Sequence, residues 1–492
     1  MAAAPVGNAG TARAAASRRD VFTLGVASGD PVPDGVVLWT RLARDPRATN
    51  GGMTERAVDV DWQVADDERF SRVRASGRTR TGPQDGYAVH VEVQGLPAGG
   101  TFFYRFGALG RISRAGTTRT APPADALAPL DIAVASCANY EHGYFTAYRH
   151  MAEERPDLVL FLGDYLYEEA AGTYRAKSGN PRSYGGPEAT TVERYRHRYA
   201  LHHADADLQA AHAAAPWVSV FDDHEVQDNW AGGHPETPRP DLPGRRAAAF
   251  RAWYENMPVR LPQRPRGSAI RCFRRLGWGA TATLHMLDTR QYRDVQVGND
   301  ARRTDPRRTI TGGAQEQWLV DGLRRSRARW DVLGQQVFFS QLDLMPGPPR
   351  GFNGDAWDGY PVERDRIVAS WQQARVRNAV VLSGDIHTHY VADIRADHDD
   401  PTSAVVGTEL VSSSITSEGD GSDHSPEVAG ALARNPHLRY GIARRGYVTA
   451  RFSADRLEAA VRVVDQVSTP GAPVRTAARF TVADREPGLR ET

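Results

Sequence analysis

The run Leu158-Val159-Leu160-Phe161-Leu162, followed at once by Gly163-Asp164-Tyr165-Leu166-Tyr167, decides how this chain folds. Unbroken apolar residues without alternation read as a strand buried on both faces, as in a sheet covered by helices. A glycine then ends the strand, and side chains able to hold metal ions appear where it opens into a loop. The arrangement recurs. Ile132-Ala133-Val134-Ala135-Ser136 ends at Cys137, Trp217 to Phe221 ends at Asp222-Asp223-His224-Glu225, and Ala379 to Ser383 ends at Gly384-Asp385-Ile386-His387-Thr388-His389. Ligands of open α/β sheets bind beyond the carboxyl ends of the strands, so all of these clusters can converge on one crevice.

Working outward, Thr283 to Leu287 and Val332 to Phe339 read as further buried strands. Phe145, Tyr148, Met151 and Ala152 share one helical face, as do Trp318, Leu319 and Leu323. An α/β domain over 130–480 follows, with a long loop from Glu168 to Pro187 and a helix from Thr191 to Ala215. Residues 21–122 read differently: Val58, Val60, Trp62 and Val64, then Val89, Val91 and Val93, alternate with polar residues. That is the period of half-buried antiparallel strands, and with the intervening turns it predicts an all-β sandwich of the immunoglobulin or fibronectin kind. Ala121-Pro122-Pro123 reads as a linker, and residues 1–20, rich in Ala, Gly and Arg, as a disordered leader. Ser17-Arg18-Arg19 resembles the start of a twin-arginine signal, which predicts a secreted protein whose signal has been trimmed.

Composition excludes several classes. The chain of 492 residues carries 61 basic and 60 acidic side chains, a net charge of +1, which argues against a partner bound by neutralising phosphates, such as nucleic acid. No apolar run reaches the ~18 residues of a membrane-spanning helix. The single lysine, Lys177, follows Ala176, so no Walker A loop exists, and Schiff-base chemistry would have to rest on Lys177 alone.

The clustered donors are a thiol, carboxylates, phenols and imidazoles. Thiolate, phenolate and imidazole suit a transition metal, and a carboxylate-rich subsite suits a hard cation such as Ca2+, Mg2+ or Mn2+. Carboxylates gathered without a cation would repel each other and hold their protons. Alternatives stand beside this reading. Cys137 could instead pair with Cys272 in a disulfide, Asp164 could cap a helix, and Asp222-Asp223-Glu225 could be a solvated charge run. Of Tyr165 and Tyr167, one is expected to face the core and the other the site. A binding module, with the β-domain as an adhesion unit and the α/β part inactive, is the second functional class.

The ordered motifs resemble the PhoD-like alkaline phosphatases and phosphodiesterases, a branch of the calcineurin-like metallophosphoesterases related to purple acid phosphatases. The resemblance spans nearly the whole chain, from Phe22-Thr23-Leu24-Gly25-Val26-Ala27-Ser28-Gly29-Asp30-Pro31 through the strand-end clusters, Asp288-Thr289-Arg290-Gln291-Tyr292-Arg293, Ser414-Ile415-Thr416-Ser417 and Asn435-Pro436-His437 to Arg445-Gly446-Tyr447. It implies an αββα metallophosphoesterase domain behind the β-sandwich. It also implies Fe3+ on Cys137, Asp164, Tyr167 and His387, with Asp164 bridging to a second cation, Ca2+, on Asp223 and Asp385. Gln336 would stand near the superfamily's remaining histidine ligand. His224 would be the general acid or a donor to a phosphate oxygen; Arg290, Tyr292 and His389 would contact substrate, with an ion-pair role for Arg290 and a structural role for His389 as the alternatives. The implied reaction is attack of metal-activated hydroxide on the phosphorus of a phosphodiester, phospholipid or phosphomonoester. Phospholipase D-type head-group release, with peripheral contact to a membrane surface, and phosphate scavenging by an alkaline phosphatase remain alternatives.

Overall fold

Val26–Val32 pairs in parallel with Pro216–Ser219, matching Ser28 to Pro216 and Gly29 to Trp217, and this contact joins the two ends of the architecture. It is seen in a computed structural model that describes residues 20–238, 241–298 and 301–492. The expected leader therefore lies, but for Asp20, outside the described residues. Leu130–Ala135, Leu158–Phe161 and Pro216–Ser219 run parallel at the centre of a ten-stranded sheet. On one side that sheet continues into Val26–Val32, Gly35–Arg41 and Ala88–Gln94, and on the other into the antiparallel strands from Arg445–Phe452 to Glu486–Glu491. A seven-stranded sheet carries Ala282–Met286, Trp330–Gly334, Ala379–Ser383 and Val405–Val411 in parallel. A smaller sheet of Val58–Ala65, Val73–Thr81, Thr101–Ala108, Arg111–Ile112 and Gly116–Arg119 completes an N-terminal β-sandwich. Its partner face is the Val26–Val32, Gly35–Arg41 and Ala88–Gln94 end of the large sheet, so Val36, Leu38, Val89 and Val91 share a core with Val60, Val64, Tyr104 and Phe106.

The strand pleat sorts the α/β core into layers. Val332, Val380 and Leu382 join Ile132, Val134, Leu158 and Leu160 in a core between the two large sheets. Leu333 and Val381 point the other way, onto Leu319, Leu323, Ile367 and Trp371 of helices Gly313–Arg325 and Pro361–Ala374. The expected helix over 191–215 is two helices, Val192–His203 and Ala206–Ala214. Asp205 separates them, its Oδ1 accepting from the amides of Asp207 (3.0 Å) and Leu208 (3.3 Å) as an N-cap. The run expected as one strand over 332–339 stops at Gly334, where Gln335 and Gln336 turn the chain along the sheet end. Every candidate cluster leaves the carboxyl end of a parallel strand, so the two sheets deliver them to one edge of the sandwich.

Candidate metal centre

The turns that carry the candidate ligands are pressed together too closely for side chains. Gly163 has φ +107°, and a Cβ there would lie 2.4 Å from Cβ of Asp222. Cys137 (φ 58°), Asp164 (φ 56°), Asp385 (φ 68°) and His387 (φ 51°) all hold left-handed backbone. Such conformations are uncommon in non-glycine residues and collect at functional sites. Backbone bonds tie the turns to one another: the Cys137 amide donates to Gly163 O (3.1 Å), that of Ala138 to Asp164 O (2.8 Å), and that of Gly384 to Gln336 O (2.7 Å). Glu225, fully inside, accepts from the amides of Asp164 (2.9 Å), Tyr165 (2.6 Å) and Asp222 (2.8 Å).

Two ligand groups share Asp164, and a third joins Asp223 to His224 and Asp228. Ligand atoms of Cys137, Asp164 and His387 lie within 4.8 Å of one another, and so do those of Asp164, Asp222 and Asp223. Tyr167 joins the first group, its hydroxyl 3.0 Å from both Asp164 Oδ2 and His387 Nε2. Tyr165 points the other way, into the core, where its hydroxyl meets His212 Nε2 at 3.0 Å. A cleft of about 260 Å³ opens over both groups, lined by Asp164, Glu169, Tyr174, Asp223, His224, Asp228, Asn229, Asp385 and His387. His224 stands in it with Nδ1 2.8 Å from Glu168 Oε2 and its ring 4.0 Å from that of Tyr167. Both cysteines are free and buried, so Cys137 and Cys272 form no disulfide.

The electrostatics fit a bound cation. Burial, reinforced by Asp223, holds the Asp164 carboxyl well above the usual carboxylate range, and burial with Asp222 does the same to Asp385. Burial and the Asp164 carboxylate push the Cys137 thiol and the Tyr167 phenol up. Asp223 Oδ1 is buried with no hydrogen-bond donor, 3.3 Å from Arg290 Nη2. Burial works against the charge of His224 too, but Glu168, Asp164 and Asp223 outweigh it and raise its value well above the ordinary one. A thiol, a phenol and several carboxyls that hold protons only for want of positive charge are the donor set a metal pair would ionise.

None of the three expected substrate contacts lines the cleft. Arg290 is fully buried: its guanidinium reaches Asp222 Oδ1 (2.5 Å), Asp355 Oδ1 (2.9 Å) and Asp385 Oδ1 (3.3 Å), making it the internal counter-charge of the carboxylate subsite. Tyr292 packs edge-on to Phe273 at 5.9 Å, beyond the cleft wall. His389 is buried with Nδ1 accepting from the Ser413 amide (3.1 Å), and burial lowers its value to about 3, so it is neutral. The Gln336 amide is taken up by hydrogen bonds to neighbouring turns. Its Oε1 accepts from Thr289 Oγ1 (2.7 Å), and its Nε2 donates to Phe221 O (2.9 Å) and Leu287 O (3.0 Å). Sequence reasoning missed Glu168, Asp228 and Asp355. Glu168 follows a recognised cluster directly and was within reach, whereas Asp355 sits in a loop with no period to mark it.

A comparison with known sequences closes the question of kinship. The profile described as PhoD-like phosphatase matches residues 132–461, and that of the PhoD-like phosphatase N-terminal domain matches 7–122. The chain belongs to the PhoD-like phosphatase family. Alkaline phosphatase D of Bacillus subtilis (strain 168) is 42% identical over 479 residues, covering 96% of this chain and 82% of that relative. A solved structure of PhoD superposes with a TM-score of 0.94 at 41% identity, covering 96% of this chain and 92% of the other. A purple acid phosphatase from yellow lupin shares the fold at 11% identity, with a TM-score of 0.57 over 93% of this chain and 74% of its own. The PhoD-like kinship supports a phosphoesterase, and no helix among the described residues is long and apolar enough to cross a membrane.

Proposed function

We propose that the chain is a secreted, metal-dependent phosphodiesterase, with Fe3+ held by Cys137, Asp164, Tyr167 and His387 and Ca2+ by Asp164, Asp223 and Asp385. The observation that carries this is Asp164, whose carboxylate belongs both to a thiol–imidazole group and to a carboxylate group. When bound, the cations supply Lewis acidity and an activated water. The protein supplies the rest. Arg290 offsets the charge of the carboxylates that hold the second site. Glu168 fixes the His224 ring through Nδ1, leaving Nε2 to give a proton to the departing alkoxide. No arginine or lysine among the described residues lines the cleft, so a singly charged diester suits that lining better than a doubly charged monoester. Val295, Leu344 and Met345 are 45%, 45% and 54% exposed on loops that meet where Gly354 packs on Val297, which supports a phospholipid substrate presented at a membrane surface. Export is inferred from Ser17-Arg18-Arg19.

The test is elemental analysis of the native protein combined with turnover of bis(p-nitrophenyl) phosphate, glycerophosphocholine, phosphatidylcholine vesicles and p-nitrophenyl phosphate. Bound iron and calcium with diesters preferred are expected. Preference for the monoester would support the alkaline phosphatase reading of the Bacillus relative, and absence of both metal and turnover would leave a binding module. Cys137→Ala and Asp164→Ala should each abolish turnover and lower bound iron.

A further inference from the structure

The turn Ser414–Ser417 crosses directly behind Cys137 and Tyr167, and its last side chain is wholly enclosed. Ser417 Oγ lies 2.7 Å from the Tyr167 hydroxyl and 2.9 Å from Cys137 O, and it accepts from the Asn139 amide at 3.2 Å. A serine hydroxyl has one hydrogen to give, so only one of the two acceptors receives it. Cys137 O already takes the amides of Thr416 (3.4 Å) and Ser417 (3.3 Å). The tyrosine oxygen has no such backbone donors. Its own hydrogen is directed at Asp164 Oδ2 or His387 Nε2, both 3.0 Å away, on the side where the candidate ligands gather. Once that hydrogen is lost, a hydrogen bond to the phenolate is charge-assisted and outcompetes one to a neutral carbonyl.

We infer that Ser417 is a positioning residue for Tyr167: it gives its hydroxyl hydrogen to the phenolic oxygen from behind, fixing the direction of that oxygen and drawing electron density from it. This rests on the reading of Tyr167 as an iron ligand. A donor on a coordinated phenolate lowers the energy of its filled orbitals, so its removal brings phenolate-to-iron charge transfer to lower energy. Outer partners of metal ligands are typically worth ~10–100-fold in metal affinity. The test loads wild type, Ser417→Ala and Ser417→Thr with ferric iron, records the visible spectrum, and measures iron affinity by chelator competition. Ser417→Ala should move the band to longer wavelength and weaken iron binding by ~10-fold or more, while Ser417→Thr, which keeps the hydroxyl, should restore both. Should Ser417→Ala fail to fold, Ser417→Cys replaces it, and its weaker donor should shift the band the same way by less. An iron-loaded wild type without the band overturns Tyr167 as a ligand and this role with it. A wild-type band that stays in place in a folded Ser417→Ala or Ser417→Cys overturns the role of Ser417 alone.

Discussion

Glu168 Oε2 and His224 Nδ1 face each other at 2.8 Å in the wall of the cleft, and both side chains are buried. Burial opposes the charge on each. The pair nevertheless holds His224 above its ordinary 6.5 and Glu168 below its ordinary 4.5. The pairing favours the imidazolium, the form that can give a proton to a leaving group. His224→Ala should lower turnover of alkyl diesters by ~10²–10⁴ and that of p-nitrophenyl esters by less, because an aryl oxide departs without a proton. Metal content should be unchanged; its loss would make His224 a ligand.

Glu168→Gln separates the proton from the ring. The raised value of His224 means that its contribution to stability is complete below 6.5 and fades as pH rises through the folded value. The lowered value of Glu168 means that its contribution is complete above 4.5 and fades as pH falls through the folded value. Pairing is therefore fully felt between those two pH values. In Glu168→Gln the alkaline limb of the kcat/KM profile should move to lower pH. A limb that stays where wild type has it would show that another group supplies the proton.

Removal of cations should expose the cost of the carboxylate cluster. Asp164 and Asp385 have folded values well above 3.8, so the metal-free folded state holds protons that the unfolded state has released. Stability then falls as pH rises from that value through the raised one. Thermal unfolding in a chelator should show a lower Tm at pH 8 than at pH 6, and cation addition should raise Tm most at pH 8. Equal Tm shifts at both pH values would contradict cation binding at these carboxylates.

The part of this architecture that one chain segment carries is legible in the sequence. Leu158–Phe161 and Ala379–Ser383 announce themselves because strands buried on both faces lose their alternation, and the ligand residues follow each within a few positions. What depends on distant partners is not. Nothing in Val26–Val32 tells that it will lie beside Pro216–Ser219 and merge the sandwich with the large sheet. Nor does the Asp288–Arg293 motif reveal where Arg290 points. In a chain where 60 of the 61 Lys and Arg side chains are Arg, an arginine turned to solvent and one enclosed by aspartates look alike. Tyr165 and Tyr167 lie beyond the strand end, in a turn whose direction no period marks, and only the packing of His203 and His212 shows which faces inward.

Arg290→Met should unfold the carboxylate subsite rather than weaken substrate binding. It would leave Asp222, Asp223 and Asp385 without their buried counter-charge, and Asp355 with only Arg293 among the described residues, a loss of about 3–5 kcal/mol for a broken buried pair, read by denaturant unfolding. Arg290→Lys should rescue little, since a point charge cannot serve the acceptors that the planar fork reaches at Nε, Nη1 and Nη2. A stable Arg290→Met whose only defect is a raised KM would restore this residue to the substrate contacts.

The two tyrosines offer the sharpest contrast within one strand end. Tyr167→Phe deletes an oxygen that meets Asp164, His387 and Ser417, so it should lose iron and turnover together while the apolar body of the ring keeps the fold. Tyr165→Phe deletes an oxygen whose partners are His203 Nε2 (3.4 Å) and His212 Nε2 (3.0 Å), away from every ligand group. One neutral hydrogen bond in the core is worth about 1 kcal/mol, so Tyr165→Phe should cost a small amount of stability and leave iron content and kcat at wild-type levels. The reverse pattern, with iron lost from Tyr165→Phe and kept by Tyr167→Phe, would mean that the turn after Leu158–Phe161 presents Tyr165 to the site. The candidate iron group would then have to be rebuilt around Tyr165.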